Sequence, residues 1–441
     1  MAVAQQTFSQ EVAEESPGRD TLQSINIKNV LSFGPEGIGP HGLELRPLNI
    51  LIGDNGGGKS NFLDVLQLLR AAALGFLPAH IAASGGVRNW RWRGNSAEQA
   101  SSIEVSVRSA ANDSGLKLRY SLSFIEEETF GLKIIDEKLD GTETESGHNY
   151  DHTYLEYRDG HPYLVAREAG RKLGKLTKNA NFNPQSNETA LAQMRYFPEY
   201  GNVVSIGFLF DSSRFYLDWD FGRNAAVRRY ANIDERAFMP HKGVLSLPGR
   251  GSGLLSEDAG NLAAVLDFLR DEQRNPGLRQ KIRDYLREFY IYADDIEIEE
   301  IGSPPDALRL VLHETNLPNP TPVSRMSEGT LQWLALLAVL LDPNPAPLIC
   351  LEEPEVNLHP DAIHLLARLL KEASRRSQII VTTHSDYLLE EFTRSPEDVV
   401  VVGRRKGATT MKRLDREELA SLLKKYTLSQ LWDRGFIGGN K

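Results

Sequence analysis

Eight residues, GDNGGGKS (Gly53 to Ser60), limit what this chain can fold into more than any other segment. They follow a short apolar run, Leu48 to Ile52. They precede a stretch whose broad apolar face carries Phe62, Leu63, Val65, Leu66, Leu68 and Leu69. Strand, glycine-rich loop and helix is the reading. The spacing G-x-x-x-x-G-K-S is that of a phosphate cradle. Glycines let backbone N–H groups turn inward around phosphate oxygens, and a helix start at Lys59 adds its dipole. On this reading Gly53, Asn55, Gly56, Gly57, Gly58 and Asn61 build or flank the cradle. Lys59 reaches the β- and γ-phosphate oxygens, and Ser60 is a ligand for Mg2+. The competing reading, a glycine-rich turn that binds nothing, leaves the strand before and the helix after unexplained.

A cradle of this kind needs acids nearby, and PLICLEEPEVNLHP offers them. An apolar run ends in Glu352 and Glu353. Adjacent carboxylates at the end of a buried segment repel and are costly without a cation. Mg2+ and Lys59 are the expected positive partners. Glu352 holds the metal, directly or through water, and Glu353 polarises the attacking water as general base. The bland alternative is a pair of ordinary surface acids at a strand end. His384 ends the next apolar run, QIIVTTH, 32 residues after Glu352. A neutral imidazole there can hydrogen-bond the γ-phosphate and register its loss; otherwise the histidine is structural. Ser327, Glu328, Gly329 and Thr330 precede a long apolar helix. Ser327 serves either as a plain N-cap or, with the Gly329 N–H, as a second anion site. That site lies 268 residues from Lys59, which points to action in trans.

The pattern defines the class as α/β: a P-loop NTPase with a mostly parallel core sheet covered by helices, because apolar strands and helices alternate along the chain. From Ser101 to Val165 the period changes to two, with SSIEVSVRS, LKLRYSLSF, FGLKIIDEKL and TYLEYRDGHPYLVA separated by Gly, Asn and Asp. This reads as an antiparallel β-rich lobe, partly facing solvent. Residues 1–20 are expected to form a disordered tail. Residues 21–260 make a first lobe with the phosphate loop and the antiparallel insert. Residues 261–441 make a helical connection and a second lobe. The stretch 166–260 reads as loop-rich. No sustained heptads occur, so no coiled-coil arm is expected. LQWLALLAVLL is too short to span a bilayer, and no membrane partner is expected. A single cysteine, Cys350, excludes a disulfide framework and fits a reducing cytoplasm. A net charge of −10 argues against wholesale coating of nucleic acid but leaves room for a local basic groove.

With these motifs in view, the chain resembles the ABC-type ATPase heads of the SMC/RecF-like class. More narrowly, it is similar to standalone AAA-family (AAA_21-like) ATPases related to the ATPase part of OLD nucleases. The segments INIKNVLSF, LNILIGDNGGGKSNFLDVL, LSEDAGNLAAVLDFLRD, MSEGTLQWLALLAVLL, LICLEEPEVNLHP, IIVTTHSDYLL and TLSQLWDRGFIGG carry the likeness, in the family's order. The resemblance implies a homodimer with two shared ATP sites. Each ATP would contact Lys59 and Ser60 of one chain and Ser327 and Gly329 of the other, and hydrolysis would open the pair. It also implies that Lys28 to Phe33 lie near the adenine or ribose. Three departures stand out. Glu352 occupies a position where many relatives carry Asp. No Q-loop glutamine is evident, Gln99 being a weak candidate. Only roughly 55 residues follow TTHSD, too few for a nuclease domain.

What ATP drives divides into two readings. In one, the ATPase serves DNA maintenance or repair, through the basic stretch REAGRKLGKLTK and through RNWRWRG, where Trp90 and Trp92 alternate with Arg88, Arg91 and Arg93. In each case the competing reading is structural: a solvated loop for the first and a packing motif for the second. In the other, it senses or scaffolds for a separate effector protein, as in antiphage defence modules. A transporter subunit is a weaker third.

Overall fold

The computed structural model describes residues 19–39, 42–94, 99–109, 116–127, 131–145, 148–158, 161–164, 177–178, 187–194, 200–232, 254–302 and 305–438. Its centre is a six-stranded sheet. The order is Arg214–Tyr216, Leu348–Glu352, Gln378–Thr383, Leu48–Ile52, Val399–Arg405 and Ala408–Arg413. The first five run parallel, and the last pairs antiparallel at the edge. Three of its strands, Leu348–Glu352, Gln378–Thr383 and Leu48–Ile52, are buried almost throughout because both faces are covered. Successive residues feed opposite cores. Ile50, Ile349, Leu351, Ile379 and Val381 face the helices Leu262–Leu269, Glu328–Leu340 and Ile363–Ala373. Leu51, Leu348, Cys350, Ile380 and Val400 face the helix Lys59–Leu74 and an antiparallel sheet.

That antiparallel sheet has eight strands in the order Leu43–Glu44, Thr21–Lys28, Ser101–Arg108, Lys117–Ile125, Lys133–Glu145, His148–Arg158, His161–Leu164 and Thr177–Lys178. The alternation in Ser101–Arg108, buried at every second residue, lays Ile103, Val105 and Val107 on the core and leaves Glu104 exposed. A third, smaller sheet joins the hairpin Ala293–Gly302 and Pro305–Glu314 to Ala231–Asn232 and Thr321–Pro322.

The fold is thus the mostly parallel, helix-covered sheet with an added antiparallel lobe that the sequence pattern implies. Among the described residues the longest helix, Lys59–Leu74, has 16 residues, and none forms a coiled-coil arm. No described helix is long and apolar enough to cross a membrane. Two elements depart from the sequence reading. The stretch taken as loop-rich contains the helix Gly201–Ser212 and the core strand Arg214–Tyr216. The sequence GNVVSIGFLF is apolar almost throughout, so no period marks it as a helix. Of the basic stretch, Arg167, Arg171, Lys172 and Lys175 lie outside the described residues, as do residues 1–18.

Candidate functional site

Parallel strands bring their C-terminal ends to one rim of the sheet, and the residues singled out from sequence arrive there together. Leu48–Ile52 runs into the glycine loop, and the helix begins at Lys59 after Gly58, whose φ is 114°. A side chain at Gly53 would place its Cβ 2.1 Å from the Val402 carbonyl oxygen. One at Gly58 would meet the Thr409 hydroxyl at 2.2 Å. Gly53 is therefore fixed by close approach, and Gly58 by close approach together with its left-handed φ. Gly56, with φ 73°, has open space around it. Thr409 staples the loop from the edge strand. Its hydroxyl donates to the Gly57 carbonyl at 2.8 Å and lies 2.7 Å from the Ser32 hydroxyl. The turn Lys28 to Phe33 thus lies against the loop through Ser32.

Lys59 is 6% exposed. Its ammonium donates to the carbonyls of Gly53 at 2.6 Å and Asp54 at 3.3 Å. Burial lowers its pKa, against the charges of Glu353, Asp54, Glu352 and Glu355. The Ser60 hydroxyl donates to Glu352 Oε1 at 2.5 Å across 292 residues. Burial raises the Glu352 pKa. Asp64, one helical turn beyond Ser60, is pushed up to about 6 by burial and by the charges of Glu352 and Asp218. Three carboxylates thus share this rim with too little positive charge between them.

Glu353 leaves the strand with φ 44°. The left-handed region costs a residue with a Cβ about 1–2 kcal/mol. The Glu353 N–H repays part of this by donating to the Thr382 carbonyl at 3.0 Å. The turn aims the carboxylate at His384, with 3.3 Å between Oε1 and Nε2. Burial and the Lys59 charge hold the His384 pKa below its usual value, against Glu353 and Asp54. The imidazole is therefore neutral at pH 7. Glu355, two residues on, secures this turn. Its Oε1 accepts from the Thr383 hydroxyl and from the His384 N–H. Its Oε2 is enclosed without a partner.

Among the described residues no hydrogen bond or ion pair joins Ser327 or Gly329 to Lys59, Ser60, Glu352, Glu353 or His384. The Ser327 hydroxyl accepts from the Thr330 N–H at 3.1 Å, the N-cap that opens the helix Glu328–Leu340. Ser327 and Glu328 are exposed. This helix start abuts the turn after the acids: a Cβ on Gly329 would lie 2.5 Å from the Asn357 carbonyl oxygen. Gln332 donates to the Pro354 carbonyl at 2.8 Å. Asn55 and Asn61 flank the loop, the first exposed and the second half-buried. Gln99 is exposed just ahead of the strand Ser101–Arg108, on the antiparallel lobe. The RNWRWRG segment is only partly packed, with Arg88 and Arg93 exposed. Trp90 is buried, and Arg88 and Arg91 pair with Glu126, which removes Trp90 from any base-stacking role.

Does this site suit a magnesium nucleotide? Two glycines leave space only for backbone, and a buried ammonium is held by loop carbonyls alone. A hydroxyl touches a carboxylate, and the acids lack a counter-charge. Among the described residues no group of three or more His, Cys, Asp or Glu could hold a metal by itself. That fits Mg2+, which takes one or two protein oxygens and completes its shell with phosphate and water. Asp64 was legible in principle, since i+4 from Ser60 on a helix is the same face. Asp218 follows a strand that sequence reasoning did not find.

Fold and rim together define a P-loop α/β fold with its phosphate loop and acids on one rim. The match that narrows this covers residues 48–390, more than half of the chain: it belongs to the AAA_21 family, described as an AAA domain, putative AbiEii toxin, type IV TA system. No curated protein sequence matches it. Among solved structures, an SMC head bound to the C-terminal winged-helix domain of ScpA is similar. The TM-score is 0.50 at 14% identity, over 91% of this chain and 99% of that one. An SMC head with an extended coiled coil from Pyrococcus furiosus matches at TM-score 0.49 and 12% identity, over 92% and 99%. The SMC head of Thermotoga maritima matches at TM-score 0.38 and 14% identity, over 89% and 99%. At such identities the likeness speaks for the fold alone.

Proposed function

We propose that the protein is a Mg2+-dependent ATPase whose two copies close head to head around two ATP molecules. The observation that carries this is the division of the site. Lys59, Ser60, Glu352, Glu353 and His384 converge on one rim, while Ser327 stands exposed and Gly329 half-exposed at a helix start where the Ser327 hydroxyl bonds only Thr330 of its own cap. ATP would lay its phosphates along Gly53 to Ser60, and Lys59 would turn from loop carbonyls to the β- and γ-oxygens. Ser60 and Glu352 would hold Mg2+, which supplies positive charge to the triphosphate. Glu353 accepts a proton as water attacks the γ-phosphorus, the bond to the β-bridging oxygen breaks, and ADP leaves. His384 stays neutral, and its single N–H, which faces Glu353 without nucleotide, would turn to the γ-phosphate and register its loss. Ser327 and the Gly329 N–H of the partner subunit would complete the γ-phosphate shell.

Two loads remain for this motor: DNA maintenance or repair, and control of a separate effector protein. The burial of Trp90 and the toxin–antitoxin description of the family favour the effector. Steady-state ATP hydrolysis with and without duplex and single-stranded DNA, with Glu353→Gln as the blank, tests both levels. Turnover absent from the wild type overturns the ATPase reading. Strong stimulation by DNA selects the DNA-coupled motor, and turnover indifferent to DNA selects the effector.

A further inference from the structure

Arg228 makes an unusual set of bonds. Its Nε donates to the Phe221 and Gly222 carbonyls at 3.0 and 2.9 Å, and Nη2 donates again to Phe221 at 2.8 Å. Its Nη1 donates to the carbonyls of Val323, Ser324 and Met326 at 3.3, 3.4 and 2.8 Å. All of these acceptors are backbone. A guanidinium is a rigid fork of donors, so it fixes the mutual position of whatever its two sides hold.

One side holds the segment that leaves the core strand Arg214–Tyr216 and passes Asp218, whose charge reaches Glu352 and Asp64. That segment is stiffened by contacts of Trp219 with Tyr216 and Phe221. The other side holds the turn Val323–Arg325 and the Met326 carbonyl, directly ahead of Ser327. The turn's terminal carbonyls carry partial negative charge, which a cation complements. Ser327 is thereby tied, through one side chain, to the segment beside the acids of its own chain.

We infer that Arg228 is a positioning residue: it sets the placement of the Ser327–Gly329 anion site that one chain offers to the ATP of its partner. This rests on the two-chain reading above. It predicts that loss of Arg228 damages the site in trans and spares the ATP-binding half of its own chain. Arg228→Ala should bind ATP with wild-type affinity while its turnover falls about a hundredfold, the cost of a misplacement near 1 Å. Arg228→Lys, a point charge unable to span both segments, should fall between.

The decisive experiment mixes inactive chains. Lys59→Ala supplies an intact Arg228 and Ser327, and Arg228→Ala supplies an intact phosphate loop. In an equal mix, half of the dimers are mixed and each holds one complete site, so turnover should return to about a quarter of the wild-type rate. Lys59→Ala with Ser327→Arg is the control. If the control recovers and the Arg228 mix stays dead, Arg228 acts within its own chain and the inference is overturned. If neither recovers, the two-chain site itself is wrong and the inference falls with it. Should Arg228→Ala fail to fold, judged by melting and ATP binding, Arg228→Gln takes its place in the same mix under the same criteria.

Discussion

The phosphate loop and the Ser327 helix start are both built to receive anions, yet the chain treats them differently. The loop is finished. Val402 and Thr409 fix its glycines, Ser32 backs it, and a buried lysine waits on its carbonyls. The helix start is well anchored from behind, by Gln332, Arg228 and the close approach of Gly329 to Asn357, but its binding side is exposed and satisfied only by its own cap. One half is organised to bind before any partner arrives. The other is organised to be presented. A chain so divided should separate ATP binding from ATP hydrolysis.

The largest expected effect tests that separation at the acids. Glu353→Gln removes the proton acceptor while keeping the hydrogen-bonding shape. It should slow turnover about a thousandfold, retain ATP binding, and trap the closed dimer on size exclusion. A variant that stays monomeric with saturating ATP would break the two-chain half of the comparison. Next comes Ser327→Arg, which fills the presented side with a bulky cation. Turnover should drop about a hundredfold, as for loss of a transition-state donor, while ATP affinity stays unchanged. Normal turnover would reduce Ser327 to the helix cap seen here. Gly58→Ala probes the finished half. Its φ of 114° and the Thr409 contact at 2.2 Å act together. Strain of about 2 kcal/mol should weaken ATP binding roughly thirtyfold. Isothermal titration that finds full affinity would show the loop to be softer than its packing implies.

Much of the rim was legible because its parts are local in sequence. A largely apolar run of four or five residues before glycines, or before two glutamates, reads as the end of a strand in a covered sheet, and parallel strands end on one side. Ser327 was read both ways, and the structure places its cap bond while leaving it exposed. What stayed hidden depends on long-range partners. Thr409 sits in an unremarkable edge strand, and only the fold brings it to Gly57 and Ser32, hundreds of residues away. Arg228 lies in a stretch without periodicity, and its acceptors are backbone carbonyls that no residue type announces. Gly201–Ser212 is apolar on all sides, so the amphipathic signal that marks helices is absent. The hairpin Ala293–Gly302 and Pro305–Glu314 pairs residues that sequence reading left between helices.

The smallest effect concerns the charge at the finished half. Asp64 titrates at about 6 in the folded chain, against 3.8 for the ordinary side chain, through burial and then the charges of Glu352 and Asp218. A raised carboxyl pKa means the folded state binds more protons between those two values. Stability must therefore fall as pH rises from about 4 to about 6, and level off above. Asp64→Asn carries no such charge. Relative to it, the wild type should lose at most about 1 kcal/mol across that range, solvent screening at a half-buried position being allowed for. Thermal melts of both proteins from acid to neutral pH measure this. A divalent cation held by Ser60 and Glu352 opposes the same repulsion, so millimolar Mg2+ should flatten the wild-type slope and leave Asp64→Asn nearly unchanged. A wild-type slope untouched by Mg2+ would mean that this rim holds no cation before nucleotide binds, and that the finished half is finished for phosphate alone.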